Sequence, residues 1–149
     1  MELAQKILNI LVEQGDISEA NAEEARIAAT SSDTPLLDIL IKKNWVDEEK
    51  IIKARALALN VPVIILKGRG ISPEILNYIP EPVARRYKLI PFDIDKNSGK
   101  LKVAMTDPIN LPLIEFLQAK SGKSVIPYLA QEEEILLKID EEYDHGLSV

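Results

Sequence analysis

Apolar residues fall at helical spacing through the first sixty positions and afterwards gather in short strand-like runs. The helical stretch is a repeat. Shifted by 29 residues, ILNILVEQGDISEANAEEAR, from Ile7, lies without a gap over LLDILIKKNWVDEEKIIKAR, from Leu36. Ile7 then meets Leu36, Leu8 meets Leu37, Leu11 meets Leu40, and Ala25-Arg26 meets Ala54-Arg55. Each unit predicts a helix, a turn and a second helix. The first helix runs to about Gln14 or Lys43, where Gly15 and Asn44 are residue types that tolerate a left-handed C′ position. The second begins at Ser18 or Asp47, good N-caps followed by acids in the first turn. Ile17 and Val46, just before those caps, are placed to staple onto Ala22 and Ile51. Two such hairpins, burying their apolar faces against each other, predict a four-helix subdomain over residues 1–60.

The rhythm changes after Asn60, with a short hinge expected near Asn60 to Pro62. VPVIIL, from Val61, reads as a strand, and Ser72-Pro73-Glu74 opens a helix with a cap and Pro in first position. PEPVARRY gives one or two helical turns. KLIPFDI and KLKVAMT read as strands joined by the hairpin loop DKNSGK. Thr106-Asp107-Pro108 is expected to start a helix, Ser124 to Leu129 to form a strand, and QEEEILLKIDEEY to close as a helix. On that last helix Ile135, Leu136, Ile139 and Tyr143 share one apolar stripe. The fold class is therefore α+β: the duplicated helix-turn-helix subdomain, then a small α/β subdomain with a mixed sheet over residues 61–149.

Composition sharpens this without naming a chemistry. A chain of 149 residues with 46% hydrophobic residues can build a core, and nothing in it resembles a membrane span or a signal peptide. Cysteine is absent, which removes disulfides, thiol catalysis and cysteine-ligated metals. The net charge of −6 argues against nucleic acid as a partner, but the charge is uneven. Residues 61–130 hold ten Lys/Arg against six Asp/Glu, whereas residues 1–60 hold eleven acids against seven bases. The closing residues 131–149 hold seven acids against Lys138 alone. A basic middle between acidic flanks is a candidate interaction surface, or simply a solvated face.

Gly122-Lys123-Ser124 imitates the end of a phosphate-binding loop. The second glycine that such a loop needs is Leu117, and the order is helix then strand rather than strand then helix. Gly122 reads instead as a helix C-terminus flanked by Lys120 and Lys123. His145, the only histidine, sits in a polar tail near Ser148 and reads as a surface residue, and no metal-ligand spacing is present. Trp45 replaces the repeat's Asp16 at a turn position expected to face outward, which makes it a candidate contact with the second domain or with a partner. Arg85, Arg86 and Lys88 form the densest basic group, suited to an acidic partner or to the acidic flanks of the same chain.

The helical unit repeated at 29 residues, followed by KLKVAMTDPIN and the closing EEEILLKIDEEY, resembles the N-terminal region of type II secretion and type IV pilus assembly ATPases, the GspE and PilB group. The resemblance runs from about Leu3 to Tyr143. In that family the region precedes a hexameric ATPase core, whose phosphate-binding and acidic motifs do not appear here. It implies a noncatalytic docking or regulatory domain on the cytoplasmic side of the inner membrane. Its partners would be a membrane platform or linker protein and the ATPase core of the parent chain.

Some members use the repeat as a cyclic di-GMP receptor, through two motifs resembling R-L-G-x-x-L-V-x-x-G that each end in Gln. Carried onto this chain, the first falls on Lys6, Ile7, Leu8, Leu11, Val12 and Gly15 and ends at Ala29. The second falls on Pro35, Leu36, Leu37, Leu40, Ile41 and Asn44 and ends at Ala58. Both close-approach glycines are Leu here, both glutamines are Ala, and only Lys6 keeps the leading charge. No cofactor is therefore expected. Ile7, Leu8, Leu36 and Leu37 read chiefly as core, and a cyclic di-GMP sensor with degenerate motifs is the alternative.

Overall fold

In the computed structural model, which describes residues 2–143, each sequence repeat is a pair of helices. The first pair is α1 (Leu3–Glu13) and α2 (Glu19–Ser32), the second α3 (Leu36–Lys42) and α4 (Glu48–Leu59). The turns inside the two pairs match bond for bond. Gly15 takes φ +78°, its N–H bonds Val12 O at 3.0 Å, and the Asp16 N–H reaches Leu11 O at 2.9 Å. Asn44 takes φ +58°, its N–H bonds Ile41 O at 3.0 Å, and the Trp45 N–H reaches Leu40 O at 3.1 Å. This crossed pair of bonds satisfies carbonyls left over at the helix end and requires the left-handed residue. Ser18 then accepts from the Asn21 N–H and Asp47 from the Lys50 N–H, capping α2 and α4.

The repeats interlock rather than stack. α1 packs mainly on α4, and α2 on α3, so the first helix of each repeat lies against the second helix of the other. Their shared core contains Ile7, Leu8, Leu11 and Leu40, all fully buried, and the staple residues Ile17 with Ala22 and Val46 with Ile51 join the same cluster. α4 ends at left-handed Asn60, and the chain divides there into two compact units, Met1–Asn60 and Val61–Val149.

The second unit holds the short helices α5 (Pro73–Leu76) and α6 (Glu81–Tyr87), then strands β1 (Leu89–Ile94) and β2 (Leu101–Met105). Helix α7 (Leu111–Ser121) leads to strand β3 (Val125–Leu129), and α8 (Glu132–Tyr143) closes the unit. The sheet has the order β1-β2-β3, antiparallel across the first pair and parallel across the second, with α7 as the crossover. It is the small mixed sheet of an α+β fold. Leu89, Leu101, Val103 and Met105 are fully buried in a core shared with Leu117, Ile135 and Ile139. A bulge falls between Pro91 and Asp93 on the edge strand β1.

Two elements differ from the sequence reading. VPVIIL makes only an isolated bridge from Val63 to Leu129: the Leu129 N–H bonds Pro62 O and the Ile64 N–H bonds Leu129 O. Alternate residues of β3 face that edge, and the next one that would donate is Pro127, which has no N–H, so the ladder stops. The helix expected from Thr106-Asp107-Pro108 starts later, at Leu111. Asn110 is the cap, accepting from the Leu113 N–H at 3.2 Å, and Pro112 occupies the first turn. Asp107 instead braces the cap, accepting from Asn110 Nδ2 at 3.2 Å. His145 and Ser148 lie outside the described residues.

Candidate functional site

The motif positions of the helical unit are spent on its core. Ile7, Leu8, Leu11 and Leu40 have no exposed surface, Leu36 and Leu37 are half-buried against the same cluster, and Ala29 and Ala58 pack there too. Lys6 is exposed, and Pro35 caps α3 without a side-chain bond. Leu8 thus lies inside the helical core and Leu37 at its margin.

An open cleft of about 540 Å³ is lined by Glu2 and Gln5 at the start of α1, Arg26 and Ala29 of α2, and Pro35 and Leu36 at the start of α3. Its one cation, Arg26, is already engaged: Nε donates to Gln5 Oε1 at 3.3 Å and a terminal nitrogen to Glu23 at 2.9 Å. A dianionic dinucleotide would meet one occupied guanidinium and the Glu2 carboxylate in the same lining, which is poor electrostatic complementarity. Sequence reasoning passed over Gln5 and Arg26. Their signal was only that a polar pair is set 21 positions apart on helices that the repeat predicts.

Trp45 is half-buried against the helical core rather than turned outward, with Lys43 Nζ 5.9 Å from its ring centroid. It borders a second cleft of about 480 Å³ with Asn44, Val46, Asp47 and Glu48. Asp16, its counterpart in the first repeat, pairs with Lys50 at 3.2 Å. The indole therefore fills space in its own unit while keeping an accessible edge.

Arg85, Arg86 and Lys88 end α6, where cations suit the helix dipole. Arg85 bonds Glu81 at 2.7 Å and Asp140 at 2.8 Å, and these two carboxylates, Glu81 first, hold its guanidinium above the ordinary arginine range. Lys88 pairs with Glu132 at 3.2 Å, and Arg86 lies 5.5 Å from the Tyr87 ring centroid. The acids of α8 thus meet two of these three cations. Exposed pairs of this kind contribute little stability but do fix side chains.

α8 also carries a device that the sequence reading missed. Glu134, Lys138 and Glu142, four residues apart on one helix face, bond the backbone of the loop between Leu66 and Ile71. Glu134 accepts from the Leu66 N–H at 2.8 Å, Lys138 donates to Arg69 O at 2.7 Å, and Glu142 accepts from the Ile71 N–H at 2.6 Å. Their spacing was visible, but acidic helix faces ordinarily read as solvated. Among the described residues no group of three or more His, Asp or Glu could hold a metal, and no helix is long and apolar enough to cross a membrane.

An interlocked helical pair of repeats followed by this small mixed-sheet unit has the fold of the N-terminal domain of XpsE. The likeness has a TM-score of 0.56 at 17% identity and covers 95% of this chain and 96% of that one. The structure of MshE with cdg, cyclic di-GMP, is similar at a TM-score of 0.69 and 28% identity, covering 92% of this chain and 98% of that one. The MshEN domain profile matches residues 59–149, and the chain belongs to that family. Curated relatives are type IV pilus assembly ATPases named PilB. The one from Myxococcus xanthus is 25% identical over 141 residues, which make up 95% of this chain and 25% of that protein. The one from Thermus thermophilus is 25% identical over 115 residues, 76% of this chain and 13% of that protein. The chain spans a quarter or less of the length of these relatives.

Proposed function

We propose that this chain is a noncatalytic docking and regulatory region of a type IV pilus assembly or type II secretion ATPase. It couples the motor to the cytoplasmic side of the inner membrane through a platform or linker protein, and the ATPase core acts elsewhere in the parent chain. The observation that carries this reading is the conversion of the receptor positions into core: Leu8 is fully buried and Leu37 half-buried where a ligand would approach backbone. A side chain packed at native density leaves no space for a nucleotide base. The phosphate-loop imitation at Gly122 is equally silent. Gly122, at φ +72°, ends α7 and precedes a strand, so no helix N-terminus faces an anion there.

A second reading, a cyclic di-GMP sensor using an altered mode, is favoured by the likeness to MshE, whose structure is with that ligand. The cleft beside Ala29 and Pro35 is where such a ligand would sit. Calorimetric titration with cyclic di-GMP, with cyclic GMP and ATP as controls, separates the two. We expect no saturable heat, together with capture of this chain by the cytoplasmic domain of the cognate membrane platform protein. Saturable binding that a Gln5→Ala plus Arg26→Ala variant, altered only in the lining of that cleft, loses while remaining folded would overturn the docking reading in favour of sensing.

A further inference from the structure

The second unit carries a basic patch around the half-buried Tyr128, at the Lys102 end of one face of its sheet. The strand register sets Asp93 beside Lys102, and Ile90 and Tyr128 beside Ala104, on a common face. Ile90, Ala104 and Phe92 are buried, and Phe92, displaced by the bulge, supports Tyr128 from within, the two rings edge-on at 5.0 Å between centroids. A cation lies over each ring: the Arg69 guanidinium carbon is 5.4 Å from the Phe92 centroid, and Lys102 Nζ is 5.9 Å from that of Tyr128. Lys100, two positions before Lys102, continues the same strand alternation, and Lys96 is exposed in the hairpin loop at this end of the sheet.

Three features distinguish the patch from ordinary surface. Arg69, Lys96 and Lys100 make no ion pair among the described residues, whereas Arg85 and Lys88 are met by α8. The nearby carboxylates are largely occupied, Asp95 by Ser98 and Asp93 by the Ile94 N–H, with Lys102 at 4.0 Å from Asp93. The Arg69 loop is also fixed in advance, because α8 bonds its backbone at Leu66, Arg69 and Ile71. A preordered basic loop costs little entropy to engage.

We propose that the Lys102 end of this sheet face docks an acidic polypeptide segment of a partner protein, its carboxylates meeting Arg69, Lys96, Lys100 and Lys102 and an apolar side chain meeting the half-buried Tyr128, which rests on buried Phe92. This rests on the docking reading only in supposing that a partner exists. The charge balance selects a short acidic segment over a membrane or a nucleic acid. The chain carries a net charge of −6, and acids crowd α8, so an extended phosphate array would meet repulsion beyond the patch, while a short segment spans only the patch. A segment carrying several carboxylates and an apolar side chain fits the cations grouped around Tyr128.

The test is a fluorescence anisotropy titration of the whole chain with a labelled peptide in which glutamates alternate with leucines. Vesicles containing phosphatidylglycerol serve as the competing surface. The expected result is peptide binding that weakens about tenfold in Lys96→Glu plus Lys100→Glu and fades as salt shortens the screening length. Both lysines are exposed, and a matching unfolding midpoint will show the variant folded; Arg69→Gln provides an independent second test. Absent peptide binding, binding indifferent to these substitutions, or preference for the vesicles overturns the proposal. Equal capture of wild type and the double variant by the platform domain also overturns it while leaving docking intact. Capture of neither removes the docking reading, and the peptide titration still decides this one.

Discussion

Lys138 Nζ donates to the Arg69 carbonyl oxygen at 2.7 Å, and Lys138 is only 6% exposed. A buried ammonium held by one carbonyl and by Glu141 at 3.3 Å is the central link between α8 and the loop that carries Arg69. Lys138→Met keeps the aliphatic stem and removes the donor, which leaves the carbonyl unmatched. The expected loss is about 1–3 kcal/mol in urea unfolding. Trypsin cleavage after Lys67 and Arg69 should accelerate as the loop opens locally. Unchanged stability together with unchanged cleavage would show that Glu134 and Glu142 hold the loop unaided.

Tyr143 makes the corresponding bond at the end of α8, its hydroxyl donating to Ile79 O at 2.7 Å. Burial, reinforced by the nearby Glu81 charge, pushes its phenol well above the ordinary tyrosine range. The neutral phenol is therefore the form that the fold favours. Its contribution is complete below the unfolded value near pH ~10 and is lost as pH rises through the folded one. Tyr143→Phe should cost about 1 kcal/mol at neutral pH and flatten the alkaline decline of the thermal midpoint. An alkaline decline equally steep in the variant would assign it to other groups.

What was legible in the sequence was short-range. Gly15, Asn44, Ser18 and Asp47 act on backbone groups within five positions, so their turns and caps could be read directly, and the 29-residue shift multiplied the signal. The exchange of helices between repeats, with α1 against α4, was not legible, because the same apolar stripes would also serve hairpins packed on themselves. The truncated pairing at Val63 depended on Pro127, a residue 64 positions away. The role of Lys138 was not legible, because its partner is a carbonyl, and a carbonyl's availability is invisible in one-letter code. The leucines at the receptor positions were read as core: Leu8 is fully buried, while Leu37 keeps some exposure.

The matched turns permit a paired test. Gly15 and Asn44 occupy equivalent left-handed positions, and nothing lies within 4 Å of where a Gly15 side chain would project. Gly15→Ala meets only the backbone penalty, expected at about 1 kcal/mol. Asn44→Gly should move stability by a few tenths of a kcal/mol, since relief of strain and gain of unfolded-state entropy oppose each other. Chemical denaturation of both variants checks this. Equal effects at the two sites would mean that φ is not what distinguishes these residues.

Acid should loosen the hairpin between β1 and β2 through one carboxylate. Asp95 accepts from the Ser98 hydroxyl at 2.6 Å and from the Ser98 N–H at 2.9 Å, and these bonds, the side-chain one first, hold it below the ordinary carboxylate range. A depressed folded value means that the stabilising contribution is present above the unfolded aspartate value near pH ~4 and disappears as pH falls through the folded one. Ser98→Ala should bring the folded value back toward the ordinary range, which carboxyl-carbon NMR titration of Asp95 reads directly. In Asp95→Asn the loop retains an acceptor oxygen for the Ser98 N–H but loses its charge, so amide exchange at Ser98 and Gly99 should become indifferent to acid over this window. If exchange in the variant still quickens with acid as it does in the wild type, beyond the intrinsic chemical dependence, the hairpin's acid sensitivity originates outside Asp95.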